Sequence, residues 1–466
     1  MSDLHWMTAV AAAKRIASRE LSPVDLVKAL LERIARLDPR LNAFIRVEAE
    51  TALKEARAAE AEAAQGKLRG PLHGVPLGVK DIIDVTGLPT TCHSKVLADA
   101  APATADAECV ARLRAAGAIV MGKLSTHEFA IGGPSHDLPW PPARNPYNRD
   151  HHPGGSSSGS GSGLAAGFFP IALGTDTGGS VRNPASACAI VGLKPTYGLV
   201  SRRGVFPLSF TLDHVGPMTR TVADNAVMLG VLAAHDPLDP GSVPAPQSGG
   251  YIKSLEQGMR GLRVGFVRHF HETDLPANPE VAAGLERVAQ TFRSEGAEVI
   301  DVKLPPLEDF GAVNRAILQS EAWSIHANWL RERPGDYGRL ARRRLISGAF
   351  IGAGDYVLAS RRRLQMIADV EAALREVDIL LCASAMDPPC SIDDPETIER
   401  TYMRQARTPF NVTGHPALAM AAGLSRDGLP VAVQFVGRYF DEATVLRVAR
   451  AWERAAGTDA LHPRLE

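Results

Sequence analysis

An α/β fold built on a largely parallel or mixed sheet is what this sequence predicts, and three observations predict it. Strand-like apolar runs alternate with helical periodicities through the C-terminal half, as strand–helix–strand units require. The 466 residues are 45% hydrophobic and 22% charged, the balance of a chain with a large core. Pro/Gly-rich stretches are too short to be domain linkers and no internal repeat is visible, so residues 1–466 read as one domain. Within it, about 1–70 form an N-terminal helical segment, about 71–230 a core and about 260–466 a C-terminal α/β half.

Ser22 and Pro23 make an N-cap and first-turn pair, and Val24, Val27, Leu30, Leu31, Ile34 and Leu37 recur at helical spacing until Pro39. Residues 48–64, rich in Ala and Glu, predict a second helix, stopped by Gly66, Gly70 and Pro71. Residues 75–83 are a strand-like run carrying Lys80 and Asp81. Alternation puts these two on opposite faces, so Asp81 is not expected to partner the lysine. A helix over 106–116 and a buried strand over 118–123 follow. Residues 164–169 read as the end of a short helix and 171–174 as a strand; after Gly192 turn residues dominate, and 236–250 are a surface loop. The C-terminal half then reads strand 262–267, helix 279–295, strand 297–302, helices 312–331 and 355–376, strands 377–382 and 431–436, and helix 442–455.

A net charge of −1 gives no electrostatic footprint for nucleic acid or for an anionic membrane, and neither is expected as a partner. The five cysteines (Cys92, Cys109, Cys188, Cys382 and Cys390) include no C-x-x-C pair and are odd in number, as free thiols in a reducing compartment would be. The start, MSDLHWMTAVAAAKR, lacks the features of a signal peptide, and no apolar run approaches the roughly 20 residues of a membrane span. A cytoplasmic protein is expected. His151-His152 has no matching ligand cluster and reads as a solvent-facing loop, so no metal is expected.

The chemistry-bearing stretch is PGGSSSGSGSGLAAGFFPIALGTDTGGSVRNPASACAIVGLKPT, residues 153–196. Dense glycine lets backbone N–H groups converge, and a serine among them is what acyl transfer needs. A flexible linker does not fit, because residues 164–173 are nearly all apolar. A phosphate loop lacks its lysine; only a loose G-x-G-x-x-A over 161–166 matches, and it follows no clear strand. Residues 155–159 match G-x-S-x-G with Ser157 as nucleophile, but the histidines that would complete such a site (His214, His235, His269, His326, His415) have no distinguishing context. A fourth arrangement explains more. Ser156 and Ser180 each follow a Gly-Gly pair, and Lys80 stands upstream in GVPLGVKDIIDVTGLPTT among apolar residues. Poor solvation lowers a lysine from about 10.4 toward neutrality, where it can act as a base.

Those segments carry a family resemblance. GVPLGVKDIIDVTG, PGGSSSGSGSGLAAG, LGTDTGGSVRNPASACAIVGLKPTYG, FTLDHVGPMTRTVADNA and GLPVAVQFVGRYFDE together resemble the amidase signature enzymes over nearly the whole chain. The resemblance implies a single α/β domain, with a large mixed twisted sheet covered by helices on both faces. It implies a Ser–Ser–Lys triad of Ser180 as nucleophile, Ser156 as bridge and Lys80 as base, and a cis peptide at Gly155–Ser156. It places an oxyanion hole on the N–H groups of Thr177, Gly178, Gly179 and Ser180, with no cofactor. The family's usual GGSSGGS reads GGSSSGS here, with Ser158 for glycine, which leaves the local loop shape open.

The expected function is hydrolysis of C(=O)–N bonds of small amides through an acyl-enzyme. A carbamate or urea-type hydrolase is the near alternative. The transamidation subunit of a tRNA-dependent amidotransferase is the other; against it stand the near-neutral charge and TPFNVTGHPALAM, a form closer to free amidases. Asp176, Arg182 and Ser157 are expected to support the nucleophile loop, and Lys194 to be structural. Phe129, Ile131, Gly132, Trp140 and Phe206 are candidates for the acyl pocket, with Phe210 beside them and Trp323, Tyr402 and Phe410 approaching from the C-terminal half. The partner is a small amide or carbamate; the oligomeric state is left open, a homodimer being common.

Overall fold

The computed structural model describes residues 4–245 and 250–465. Its strands are β1 (Phe44–Val47), β2 (Pro76–Lys80), β3 (Ile119–Leu124), β4 (Ile171–Asp176), β5 (Val191–Lys194), β6 (His214–Thr219), β7 (Arg263–Phe266), β8 (Glu298–Asp301), β9 (Ile379–Ala383), β10 (Ala417–Leu424) and β11 (Pro430–Val436). All eleven hydrogen-bond into one sheet in the order β1-β3-β2-β4-β6-β5-β10-β11-β9-β7-β8. The sheet is mixed: β2 runs parallel to β3 and β4, and β7 to β8 and β9, while the central pairs are antiparallel. This is the single α/β domain that the sequence predicts.

Helices cover both faces. The helix Pro23–Leu37 forms because Ser22 accepts the N–H groups of Val24 and Asp25, Pro23 needs no donor partner, and Val27, Leu30, Ile34 and Leu37 fall on one stripe. That stripe enters a core with Ala52, Ala56, Met121, Phe168 and Phe169. A second, larger core holds Leu77, Val79 and Leu173 with Leu229, Leu285, Val370, Leu446 and Trp452. Among the described residues no helix is long and apolar enough to cross a membrane.

The structure departs from the sequence reading at three informative places. The strand expected over 75–83 ends at Lys80, because the N–H groups of Ile82 and Ile83 both turn back to the Lys80 carbonyl. The short helix is Ser158–Ala165 and begins inside the Gly/Ser cluster. Its glycines are there for contact: a Cβ on Gly163 would meet Phe169 Cζ at 2.3 Å. Ser158 opens this helix in place of the family's glycine, its N–H on the Ser156 carbonyl (2.8 Å), so no backbone feature there requires glycine. Where only turns were expected after Gly192, β5, β6 and the helix Val222–Leu232 stand. β5 and β6 are short and buried on both faces, which removes the alternation that announces a strand. Residues 246–249 of the expected loop lie outside the described residues.

Candidate active site

β2 and β4 are parallel neighbours in register Leu77↔Ile171, Gly78↔Ala172 and Val79↔Leu173. Their carboxyl ends therefore emerge side by side, where open α/β sheets place their sites. Lys80 is the last residue of β2 and is fully buried. Its Nζ lies 2.8 Å from Ser156 Oγ and 2.7 Å from Thr175 Oγ1 on β4. Burial lowers the amine, and the Asp176 and Asp213 carboxylates offset part of that, leaving it at about 7. A lysine so placed can take a proton from the adjacent hydroxyl near neutral pH. The Gly155–Ser156 peptide is cis, and the Ser156 carbonyl accepts from His127 N–H (3.0 Å) and Thr126 Oγ1 (2.9 Å).

Ser180 sits beside this pair. Its carbonyl accepts from Ser157 N–H at 3.3 Å, and its side chain is 4% exposed. No hydrogen bond joins Ser180 Oγ to Ser156 Oγ among the described residues, a link that often tightens only with substrate bound. Ser157 Oγ is buried against Thr175, donating to its carbonyl (3.3 Å), which removes the G-x-S-x-G reading with Ser157 as an exposed nucleophile.

Asp176, at the end of β4, ties the turn together. Its carboxylate accepts the N–H groups of Gly179 (2.8 Å), Val181 (3.1 Å) and Arg182 (3.3 Å), Arg182 Nε (3.0 Å) and Nη2 (2.9 Å), and Asn411 Nδ2 (2.8 Å). Burial alone would raise this carboxyl; the Arg182 guanidinium and Asn411 amide outweigh it and hold it well below the usual range. Arg182 in turn reaches Gln434 Oε1 (2.7 Å) and Asn411 Oδ1 (2.6 Å). Gly179 N–H is thus engaged by Asp176, while the N–H groups of Thr177, Gly178 and Ser180 find no acceptor among the described residues. Asp176→Ala is expected to cost about 3–5 kcal/mol of stability, since it strands the Arg182 charge in the interior. A urea-unfolding midpoint within error of the wild type would contradict that.

A cleft of about 670 Å³ opens on Ser180, with Thr177, Gly178, Ala130, Ile131, Gly132, Arg315, Arg344, Tyr402 and Gln405 among its walls. Ile131, Gly132 and Tyr402 are therefore where they were expected. The other expected pocket residues are not. Phe129 is buried in an aromatic cluster with Phe206, His326, Trp329 and Tyr337. Phe206 and Phe210 line a second cavity of about 490 Å³ that reaches Thr175 and Thr177. Trp140 packs edge-on against His93, whose ring nitrogen bonds the Trp140 carbonyl (2.9 Å). Phe410 is in the core, and Trp323 lies in no wall of the cleft. Phe129 and Phe410 joined the larger apolar cluster, with Phe206 and Trp323 packed against it, which offers more burial than a cleft wall, while Phe210 stays exposed.

Asp81 pairs with Lys123 (3.0 Å) and accepts from Thr91, away from Lys80 as alternation predicts. Lys194 is fully buried, donates to the Pro195 carbonyl (2.9 Å) and touches none of the reacting groups. His151 and His152 are half-buried rather than solvent-facing; His152 Nδ1 accepts Gly154 N–H (3.0 Å). No group of three or more metal-ligating side chains exists among the described residues. Sequence reasoning missed Thr175, Asn411, Gln434 and Arg407. Asn411 and Arg407 lie in or beside TPFNVTGHPALAM, which marked the segment but not their contacts.

The chain as a whole is similar to known proteins. The family model described as Amidase matches residues 25–446. The A-subunit of glutamyl-tRNA(Gln) amidotransferase from Roseiflexus castenholzii is 38% identical over 97% of this chain and 96% of its own length. A solved structure described as a vestigial protein complex revealing the origins of an s-triazine catabolic enzyme superposes with a TM-score of 0.90, at 33% identity over 99% of this chain and 100% of that one. The peptide amidase of Stenotrophomonas maltophilia superposes with a TM-score of 0.86, at 31% identity over 98% of each chain.

Proposed function

This chain belongs to the amidase family, and we propose that it breaks the C–N bond of a carboxamide whose substrate also carries a carboxylate, glutamine being the type. In this reading neutral Lys80 draws a proton from Ser156, which draws one from Ser180. Ser180 Oγ attacks the carbonyl carbon. The oxyanion rests on the N–H groups of Thr177, Gly178 and Ser180; Gly179, expected among the donors, is assigned to shaping the turn through Asp176. The relay returns a proton to the leaving nitrogen, and ammonia departs. Water then cleaves the acyl-enzyme by the same route. The observation that carries this reading is the buried Lys80 Nζ–Ser156 Oγ contact of 2.8 Å next to a turn with unengaged donors.

The carboxylate follows from the cleft. Arg315, which is exposed, and Arg344, which is half-buried, both line it, and neither has a carboxylate partner among the described residues; Arg344 lies over the Tyr402 ring at 5.1 Å. Unpaired guanidinium groups in a cleft fit a planar anion. This favours the reading as the transamidation subunit of an amidotransferase, which relatives named as such over the whole chain also support. A free hydrolase of small amides is the second reading, favoured by TPFNVTGHPALAM and by the likeness to a peptide amidase. Carbamates present the same carbonyl and remain in the panel.

The test is ammonia release by the isolated chain from glutamine, from neutral amides of similar size and from carbamates, without tRNA, ATP or other subunits. Arg344→Ala is expected to raise KM for glutamine about 10- to 100-fold, the loss of one charge-assisted bond, and to leave a neutral amide little changed. Equal effects on both substrates would remove the carboxylate from the proposal.

A further inference from the structure

Arg407 is a buried charge that the chemistry above leaves unused. It stands immediately before the helix Thr408–Thr413 and is 3% exposed. Its Nη1 donates to a neutral acceptor, the Ser384 carbonyl (2.8 Å), and its Nε has no acceptor. No carboxylate pairs with it among the described residues. Burial lowers this guanidinium, Arg182 adds to that, and Tyr402 and the Asp176 carboxylate offset part of it without contacting it; it stands at about 10, so it is charged at neutral pH. An ion taken out of water without a counter-ion is costly, and such a group survives where it serves a purpose.

Its neighbour supplies the purpose. Gly179, between the oxyanion donors and at φ +124°, lies directly on the Arg407 side chain: a Cβ there would meet Arg407 Nε at 2.6 Å and its Cβ and Cδ at 2.9 Å. Only glycine permits this approach. The other guanidinium under the turn, Arg182, is neutralised by Asp176, and its Nη1 bonds the Arg407 carbonyl (2.8 Å). The turn therefore rests on one paired and one unpaired guanidinium, which leaves a surplus positive charge beneath the Gly178–Ser180 backbone.

We propose that Arg407 is a positioning residue whose unneutralised charge, acting through the Gly178–Ser180 turn, favours the negative oxygen formed when Ser180 attacks. This rests on the reading of Ser180 as nucleophile. The charge is fixed before the reaction begins, in a buried position where electrostatic effects are stronger than in water, and it has least to stabilise in the neutral ground state. Its effect falls on turnover and not on substrate affinity.

The experiment compares wild type with Arg407→Met, Arg407→Gln and Arg407→Lys on the best-cleaved amide. Active sites are counted by sulfonyl fluoride labelling, and a phenylboronic acid probes affinity for a tetrahedral anion on the serine. The two neutral variants are expected to lose about 10²-fold in kcat per labelled site with KM within threefold. Boronate affinity falls by the same factor, and Arg407→Lys recovers at least a tenth of wild-type kcat. A purely structural arginine predicts a lower melting temperature with kcat per labelled site within threefold of wild type, and that result overturns the proposal. So does a loss of kcat without loss of boronate affinity. Should the neutral variants not fold, citrulline installed at position 407, neutral and of the same shape, takes their place: loss of both kcat and boronate affinity upholds the charge, and retention of both within threefold sinks it. Absence of any wild-type labelling at Ser180 would instead remove the underlying reading.

Discussion

Ser180→Ala is expected to lower kcat about 10⁶-fold while leaving the fold and the cleft intact. The magnitude follows from the way a nucleophile acts. Losing one oxyanion donor costs about 10²–10³ in rate, because the covalent route remains open. Losing the attacking oxygen closes that route, and the remaining groups of a coupled triad then contribute nothing through it. The side chain is small, is 4% exposed and makes no side-chain hydrogen bond among the described residues, so its removal leaves no buried group unpaired. Substrate should still bind, since Arg315, Arg344 and Tyr402 are untouched. The measurement is single-turnover acyl formation together with sulfonyl fluoride labelling. Residual kcat above about 10⁻³ of wild type, or labelling that persists in the variant, would move the nucleophile elsewhere.

The Lys80–Ser156 contact and most of the sheet were legible because they rest on local chemistry. The strand carrying Lys80 is apolar and the glycines around Ser156 and Ser180 are dense, and both signals survive any tertiary rearrangement. Asp176 and Arg182 were legible for the same reason: six residues apart, they meet across one turn. What was not legible depends on distant segments. Thr175 becomes a partner of Lys80 only through the register of β2 against β4. Asn411, Gln434 and Arg407 come from more than 220 residues beyond the turn they support. Phe129, Phe206 and Trp140 were expected in the acyl pocket and lie outside the walls of the cleft at Ser180 for a further reason. An aromatic side chain gains from burial in a core as well as in a cleft wall, so residue type alone does not separate the two. Arginine is more informative there: Arg344 is neither neutralised nor packed into the core, and it stands in the wall of the cleft.

Lys80→Met should be nearly as damaging as loss of the nucleophile, with kcat falling at least 10⁴-fold, because among the described residues Lys80 is the base hydrogen-bonded to Ser156 Oγ. Thr175, the other neighbour of Lys80 Nζ, is a hydroxyl and no base. The variant removes an amine that burial already keeps close to neutral, so its cost to stability is small beside its cost to the reaction. Lys80→Arg sharpens the point. It preserves a cation but cannot shed its proton, and it should be as inactive as Lys80→Met. The same lysine sets the pH profile of the wild type. The reactive form is the free amine, so kcat/KM should rise tenfold per pH unit below the folded pKa and level off above it. With that pKa at about 7, in place of the ordinary 10.5, the enzyme works near neutrality; an unshifted lysine would leave it about 10³-fold less active there. An acid limb centred near pH 10, or Lys80→Met retaining more than a tenth of kcat, would mean that the proton of Ser156 goes somewhere other than the amine 2.8 Å away.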